Sequence, residues 1–154
     1  MTQAITPAPV RKTLVVRAPT EVAFRVFTER LDSWWPRSHH IGEAALRQAV
    51  LAPRPGGRFY EIGEDGRECD WGEVLAWEPP ARLVLVWRIS SLWRYEAEAY
   101  SEVEVRFTEL SPCETRVDLE HRKLEGLGDG GAVARAVDGG WGQILGLFRA
   151  AAEA

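Results

Sequence analysis

The stretch from Gly72 to Ile89, GEVLAWEPPARLVLVWRI, constrains the chain more than any other. It reads as two strands joined by a tight turn. Neither Pro79 nor Pro80 can donate a ladder hydrogen bond, so the chain must leave the sheet there. Beyond the turn, Leu83, Leu85, Trp87 and Ile89 share one parity, with Arg82 and Arg88 on the other. That period-two alternation marks an antiparallel strand with one face buried.

Other segments repeat the pattern. Val10 to Arg17 reads as a first strand, centred on Leu14, Val15 and Val16. Ala18-Pro19-Thr20-Glu21 reads as a helix start, with Thr20 or Glu21 placed to serve the free amide groups. Val22, Ala23, Val26 and Phe27 give that helix an apolar stripe, and a second short helix holding Leu31, Trp34 and Trp35 is closed by Pro36. Strands are expected over Ala45 to Leu51, Arg58 to Ile62, Glu68 to Trp77 and Arg82 to Ile89, with a hairpin at Glu64-Asp65-Gly66. Ser90 to Tyr95 is less regular, and its Trp93 and Tyr95 suggest partial burial. Glu102 to Glu109 and Thr115 to Arg122 alternate again, with Val103, Val105, Phe107, Val117, Leu119 and His121 inward and charged residues outward.

After a glycine-rich loop over Gly126 to Gly131, Ala132 to Ala152 reads as a long helix. Val133, Val137, Trp141, Ile144, Leu145 and Phe148 fall on one face of it. Gly139 and Gly140 interrupt it, each at a cost of up to about 1 kcal/mol against alanine. They imply a kink or a close approach by sheet or ligand. The order is a strand, two short helices, a strand meander and a long C-terminal helix. The expected class is α+β: a curved antiparallel sheet of six or seven strands must bury one face, and only the last helix is long enough to cover it. Residues 1–9 are expected to be a frayed tail and 10–154 a single domain.

Composition excludes several functions. At 154 residues and 45% apolar content the chain can build a real core. A net charge of −4 argues against non-specific nucleic-acid binding. No apolar run approaches the ~18 residues of a membrane span. The N-terminal MTQAITPAPVRKT lacks the apolar segment of a secretory signal, so a cytoplasmic location is expected. Cys69 and Cys113 lack metal-type spacing and are expected to be free thiols. No GxSxG or P-loop is present, and no metal or cofactor is expected.

Five segments resemble, in order, a known family: APTEVAFRVFTE with the following Trp pair, RPGGRFYE, GEVLAWEPPARLVLVW, the pair EVEVRFTEL and ETRVDLEH, and GGW in the last helix. Over roughly residues 12 to 152 the chain resembles the START-like, helix-grip (Bet v 1-like) superfamily. Within it, the chain is similar to bacterial homologues of the activator of the 90-kDa heat-shock protein ATPase. The resemblance implies a cavity between sheet and C-terminal helix. The superfamily includes lipid and hormone binders, aromatic polyketide cyclases and co-chaperone domains. It shares no catalytic motif, so it implies no catalytic residue here.

Seven tryptophans are many for one domain, and large rigid rings wall a cavity at low entropic cost. The candidate lining is Trp34, Trp35, Phe59, Trp71, Trp87, Val105, His121, Trp141, Leu145 and Phe148. His121, on the concave face by parity, is a candidate acid or base or a loop-holding hydrogen-bonder. Glu61 and Glu73 share odd parity with Phe59 and Trp71. They are candidates for an acidic pair in a poorly solvated space, unless a bulge turns them outward or Arg58 or Arg88 pairs with them. His39-His40 alone cannot fill a structural zinc site. The leading expectation is binding of a small hydrophobic or aromatic molecule. A cyclase-type enzyme using His121, Glu61 or Glu73 and an interaction domain with a chaperone partner are the alternatives.

Overall fold

The computed structural model describes residues 7–154. Most of the expected tail therefore lies outside the described residues, and 7–9 form no regular element. Seven strands build one antiparallel sheet: β1 (Val10–Val16), β2 (Leu46–Leu51), β3 (Arg58–Gly63), β4 (Glu68–Glu78), β5 (Arg82–Trp87), β6 (Ser101–Ser111) and β7 (Glu114–Arg122). Their spatial order is β1-β7-β6-β5-β4-β3-β2, so the first strand reaches the sheet by pairing with the last. Helices α1 (Thr20–Thr28) and α2 (Leu31–Trp34) follow β1, and α3 (Gly130–Ala152) closes the chain. This is the helix-grip architecture that the alternating segments and the amphipathic last helix demand.

The concave face carries the core. Val103, Val105 and Phe107 of β6 and Val117, Leu119 and His121 of β7 are all buried there, beneath α3. The helix presents Val133, Val137, Trp141, Ile144, Leu145 and Phe148 to the sheet, each at least 94% buried, which follows from their 3.6-residue spacing. The two halves of α3 meet different surroundings. Near its C-terminus Phe148 packs against Phe27 and Trp34, at 5.1 and 5.4 Å between ring centroids. Phe27 in turn meets Phe107. That half is filled.

Two bulges break the parity of β4. Phe59 pairs with Gly72 while Tyr60 pairs with Asp70, which leaves Trp71 as an extra residue. A second shift between Val74 and Ala76 puts Leu75 into solvent. A bulge reverses the side-chain alternation beyond it. It thereby sends Glu73 to the convex face, where Arg88 grips its carboxylate at 2.7 Å.

Several other expectations need correction. No side chain caps α1; Thr20 instead pairs its hydroxyl with that of Thr115 at 3.1 Å, and Pro19 occupies the cap position. β5 is buried on both faces, not one, because Val84 and Val86 stand in register with Glu104 and Glu102. Those carboxylates are tied across the convex face to Arg82, Arg122 and Lys123. β5 ends at Trp87, and Ile89 makes only an isolated bridge to Tyr95. Trp93 and Tyr95 are exposed, and Trp93 has a φ of 58°. The glycine-rich loop is shorter than expected: a 3₁₀ turn covers Leu124–Leu127, and Asp129 caps α3 by accepting from the Ala132 N–H at 3.1 Å. α3 runs unbroken through Gly139 and Gly140, and neither glycine is approached within 4 Å at the Cβ position.

Candidate functional site

The N-terminal half of α3 does not close on the sheet. Between them lies a cavity of ≈ 330 Å³, bounded by Trp35, Trp71, Trp87 and Trp141, with Ile89 and Ile144 completing the apolar wall. Ala136 and Gly140 form its helix side, Ser38, His39, His40 and Ile41 come from the loop before β2, and Trp93 stands at its edge. Gly140 belongs there because it has no side chain to fill the space.

The four indoles form a chain of contacts. Trp35 meets Trp71 at 5.1 Å and Trp141 at 6.4 Å, and Trp141 meets Trp87 at 5.8 Å. Phe59 stands behind them, edge-on to Trp71 at 5.0 Å. Hydrogen bonds fix three of the four rings. Trp35 Nε1 donates to the His39 carbonyl at 2.9 Å, Trp71 Nε1 to Glu61 Oε1 at 2.8 Å, and Trp141 Nε1 to His121 Nδ1 at 3.1 Å. The indole N–H of Trp87 has no partner among the described residues. Since no fully buried side-chain nitrogen there lacks one, it opens onto accessible space. Large rings with pinned edges make a wall that needs little ordering when a ligand arrives.

His121 lies beneath this wall rather than in it. It is fully buried, edge-on to Trp87 at 5.3 Å. An indole N–H can only donate, so His121 Nδ1 accepts, and the proton sits on Nε2. Nε2 then donates to Ser101 Oγ at 2.9 Å, whose own hydroxyl donates to the Trp87 carbonyl at 2.9 Å. Burial pushes the imidazole pKa down to about 3. Both ring nitrogens are occupied, so His121 pins two wall tryptophans, and its placement at a cavity mouth as acid or base is corrected.

Glu61 is likewise 1% exposed and faces inward, but it does not form an acidic pair, because the bulge carries Glu73 away. Its carboxylate accepts from Ile41 N at 2.6 Å, from Gly42 N at 3.2 Å and from Trp71 Nε1. It anchors the loop that carries His39 and His40. His40 Nδ1 lies 2.9 Å from the Gly42 carbonyl, and His39 Nδ1 2.9 Å from Ser38 Oγ. Burial holds the His39 imidazole below its ordinary pKa.

The structure thus places Trp35, Trp71, Trp87 and Trp141 around the cavity. Trp34, Val105, Leu145 and Phe148 belong to the filled half of the core, and Phe59 and His121 stand one layer behind the wall. Sequence reasoning missed the histidines and Ile41, because a loop has no period from which to read a facing direction. The adjacent His39-His40 pair is the available signal, two imidazoles in a loop that need not serve a metal to line a site.

A curved seven-stranded sheet gripping a helix across an aromatic cavity defines a helix-grip, ligand-cavity domain. Residues 17–153 match the model of the family described as activator of Hsp90 ATPase homolog 1-like protein, and the chain belongs to that family. Among solved structures it is similar to Txn09, an anthrahydroquino-γ-pyrone synthase, at 39% identity over 95% of this chain and 97% of that one, with a TM-score of 0.69. It is also similar to CalC, a self-sacrificing resistance protein from Micromonospora echinospora, at 31% identity over 94% and 93% of the two chains, with a TM-score of 0.70. The Aha1 dimer from Colwellia psychrerythraea shares the fold at 14% identity, over 96% and 97% of the chains and with a TM-score of 0.66. No curated protein matches the chain.

Proposed function

We propose that the protein binds a planar aromatic small molecule in the cavity between α3 and the sheet. The observation that carries this reading is the tryptophan wall. Four indoles, three isoleucines and a helix glycine bound a space of ≈ 330 Å³, the size of a small-ligand pocket. An apolar cavity of that size in an otherwise close-packed core gives up dispersion contacts, which an apolar ligand restores. Txn09, named for a fused-ring aromatic product, supports the same class of ligand. Titrating the protein with 9,10-anthraquinone while following tryptophan fluorescence tests it. Saturable quenching is expected, and Ala136→Trp, which fills the cavity from the exposed side of α3, should weaken it at least tenfold. An unquenched signal up to the solubility limit defeats the reading.

Catalysis on such a ligand is a second reading, favoured by His39 and His40 in the cavity wall and by the likeness to a synthase. A chaperone partner has the family description in its support, and a pull-down with the bacterial 90-kDa heat-shock homologue tests it. A cytoplasmic location fits the two free thiols, Cys69 and Cys113.

A further inference from the structure

We propose that the cavity selects aromatic ligands bearing a free hydroxyl, and that His40 Nε2 is the acceptor that reads it. The inference rests on the aromatic-binding reading above and adds the ligand's polar chemistry. It starts from the Gly42 carbonyl. A carbonyl can only accept, so the 2.9 Å contact with His40 Nδ1 puts the ring proton on Nδ1. Nε2 of the neutral ring therefore carries the lone pair. Nε2 has no partner among the described residues. No fully buried side-chain nitrogen there is left unpaired, so Nε2 reaches accessible space, and the half-buried His40 lines the cavity.

His39 differs. Its Nδ1 meets the Ser38 hydroxyl, which can donate or accept, so either tautomer satisfies that contact. His40 is thus the imidazole at the cavity whose lone pair is fixed in advance. Its orientation is fixed too, because the backbone leading to that carbonyl is held from below. The buried Glu61 carboxylate holds the N–H groups of both Ile41 and Gly42, and Trp71 holds Glu61. Glu61 is a positioning residue for His40. The unpartnered Trp87 N–H supplies a donor on the cavity wall. A ligand that satisfies both is an aromatic ketone with a hydroxyl on its rim.

The test compares 2-hydroxyanthraquinone with 2-methoxyanthraquinone, whose carbonyls are the same and whose substituent is too far from them to be tied internally. Affinities are read by tryptophan quenching and calorimetry. The wild-type protein should prefer the hydroxy probe by about tenfold, the scale of one hydrogen bond to an acceptor that the bound ligand covers. His40→Phe should erase that preference, bringing the ratio of the two affinities to about one. Glu61→Gln, which keeps one acceptor oxygen, should lower the preference more than the methoxy affinity; equal loss on both probes would overturn the positioning role. In ligand-free protein, ring-nitrogen NMR shifts should report the proton of His40 on Nδ1, and a proton on Nε2 overturns the proposal. Wild-type protein binding both probes alike, or a preference that survives His40→Phe, also overturns it while leaving aromatic binding intact. If neither probe binds wild-type protein, the aromatic-binding reading falls and this one with it.

Discussion

His121 shows how one residue can look catalytic and be structural. Parity with Val117 and Leu119 places it on the concave face, and the structure puts it there. What parity cannot show is that Ser101 and Trp141 occupy both ring nitrogens. Removing the ring leaves the Trp141 N–H without its acceptor and the Ser101 hydroxyl without its donor, and it opens a void under Trp87. A large-to-small change with unpaired polar groups costs on the order of 3 kcal/mol. His121→Ala is therefore expected to lower the urea midpoint markedly without changing the slope. It should also loosen the ligand wall, seen as a red shift in tryptophan emission. A midpoint within experimental error of wild type would contradict the pinning role.

At the scale of elements, glycines mark where the backbone approaches something and where it borders open space. A Cβ on Gly72 would stand 1.7 Å from the Val86 carbonyl oxygen. Gly72→Ala must push β4 off β5 beside the Trp71 bulge, so loss of soluble folded protein is expected on expression. On α3 the opposite holds. Gly139 is exposed, and a Cβ there meets nothing within 4 Å. Gly139→Ala should raise stability by about 0.5–1 kcal/mol through helix propensity alone and leave ligand binding unchanged. Gly140→Ala should stabilise similarly but weaken binding, because Gly140 lines the cavity. Thermal melts and quenching titrations on the two variants separate these effects. The same elements show what the sequence makes legible. Strand and helix order follow from periodicity, since Glu102 to Glu109 and Thr115 to Arg122 alternate along their length and the apolar stripe of α3 keeps its 3.6-residue spacing. Which parity faces inward after Trp71 depends on the bulge, and a bulge inserts one residue with no composition cue of its own. Glu73 therefore has two readings from the sequence, and the register at Trp71 decides between them. The Trp wall was half legible for a related reason: the 3.6-residue stripe lists Trp141, Leu145 and Phe148 together, and only packing against Phe27 and Trp34 shows that the helix closes at one end and stays open at the other.

For the whole molecule, the buried ionisable groups fix how it responds to acid, and their signs agree. His121 is neutral when folded, with its pKa pushed from 6.5 to about 3 by burial. Between those values the unfolded chain binds a proton that the native chain refuses. Stability contributed by this group is complete above pH 6.5 and declines as pH falls, by up to about 1.4 kcal/mol per pH unit. His39, lowered by burial, adds in the same direction. The convex face acts lower on the scale. Burial alone would raise the Glu102 and Glu104 carboxyls. For Glu102, hydrogen bonds from Tyr100, Arg122 and Lys123 outweigh burial, and for Glu104 those from Arg82 and Arg122 do. Both are thereby held below 4.5, the ordinary carboxyl value. Depressed carboxyl pKa values contribute stability that is present above the unfolded value and lost as pH falls through the folded one. The expected profile is a plateau above pH 6.5, a shallow decline to about pH 4.5 and a steeper one beneath it, as several groups then take up protons together. Urea midpoints measured at unit intervals from pH 8 to about pH 2 give the curve. His121→Leu should be less stable at pH 7 yet lose most of the shallow decline, leaving the steep leg in place. A variant that keeps the full slope between pH 6.5 and 4.5 would show that other groups set the acid response.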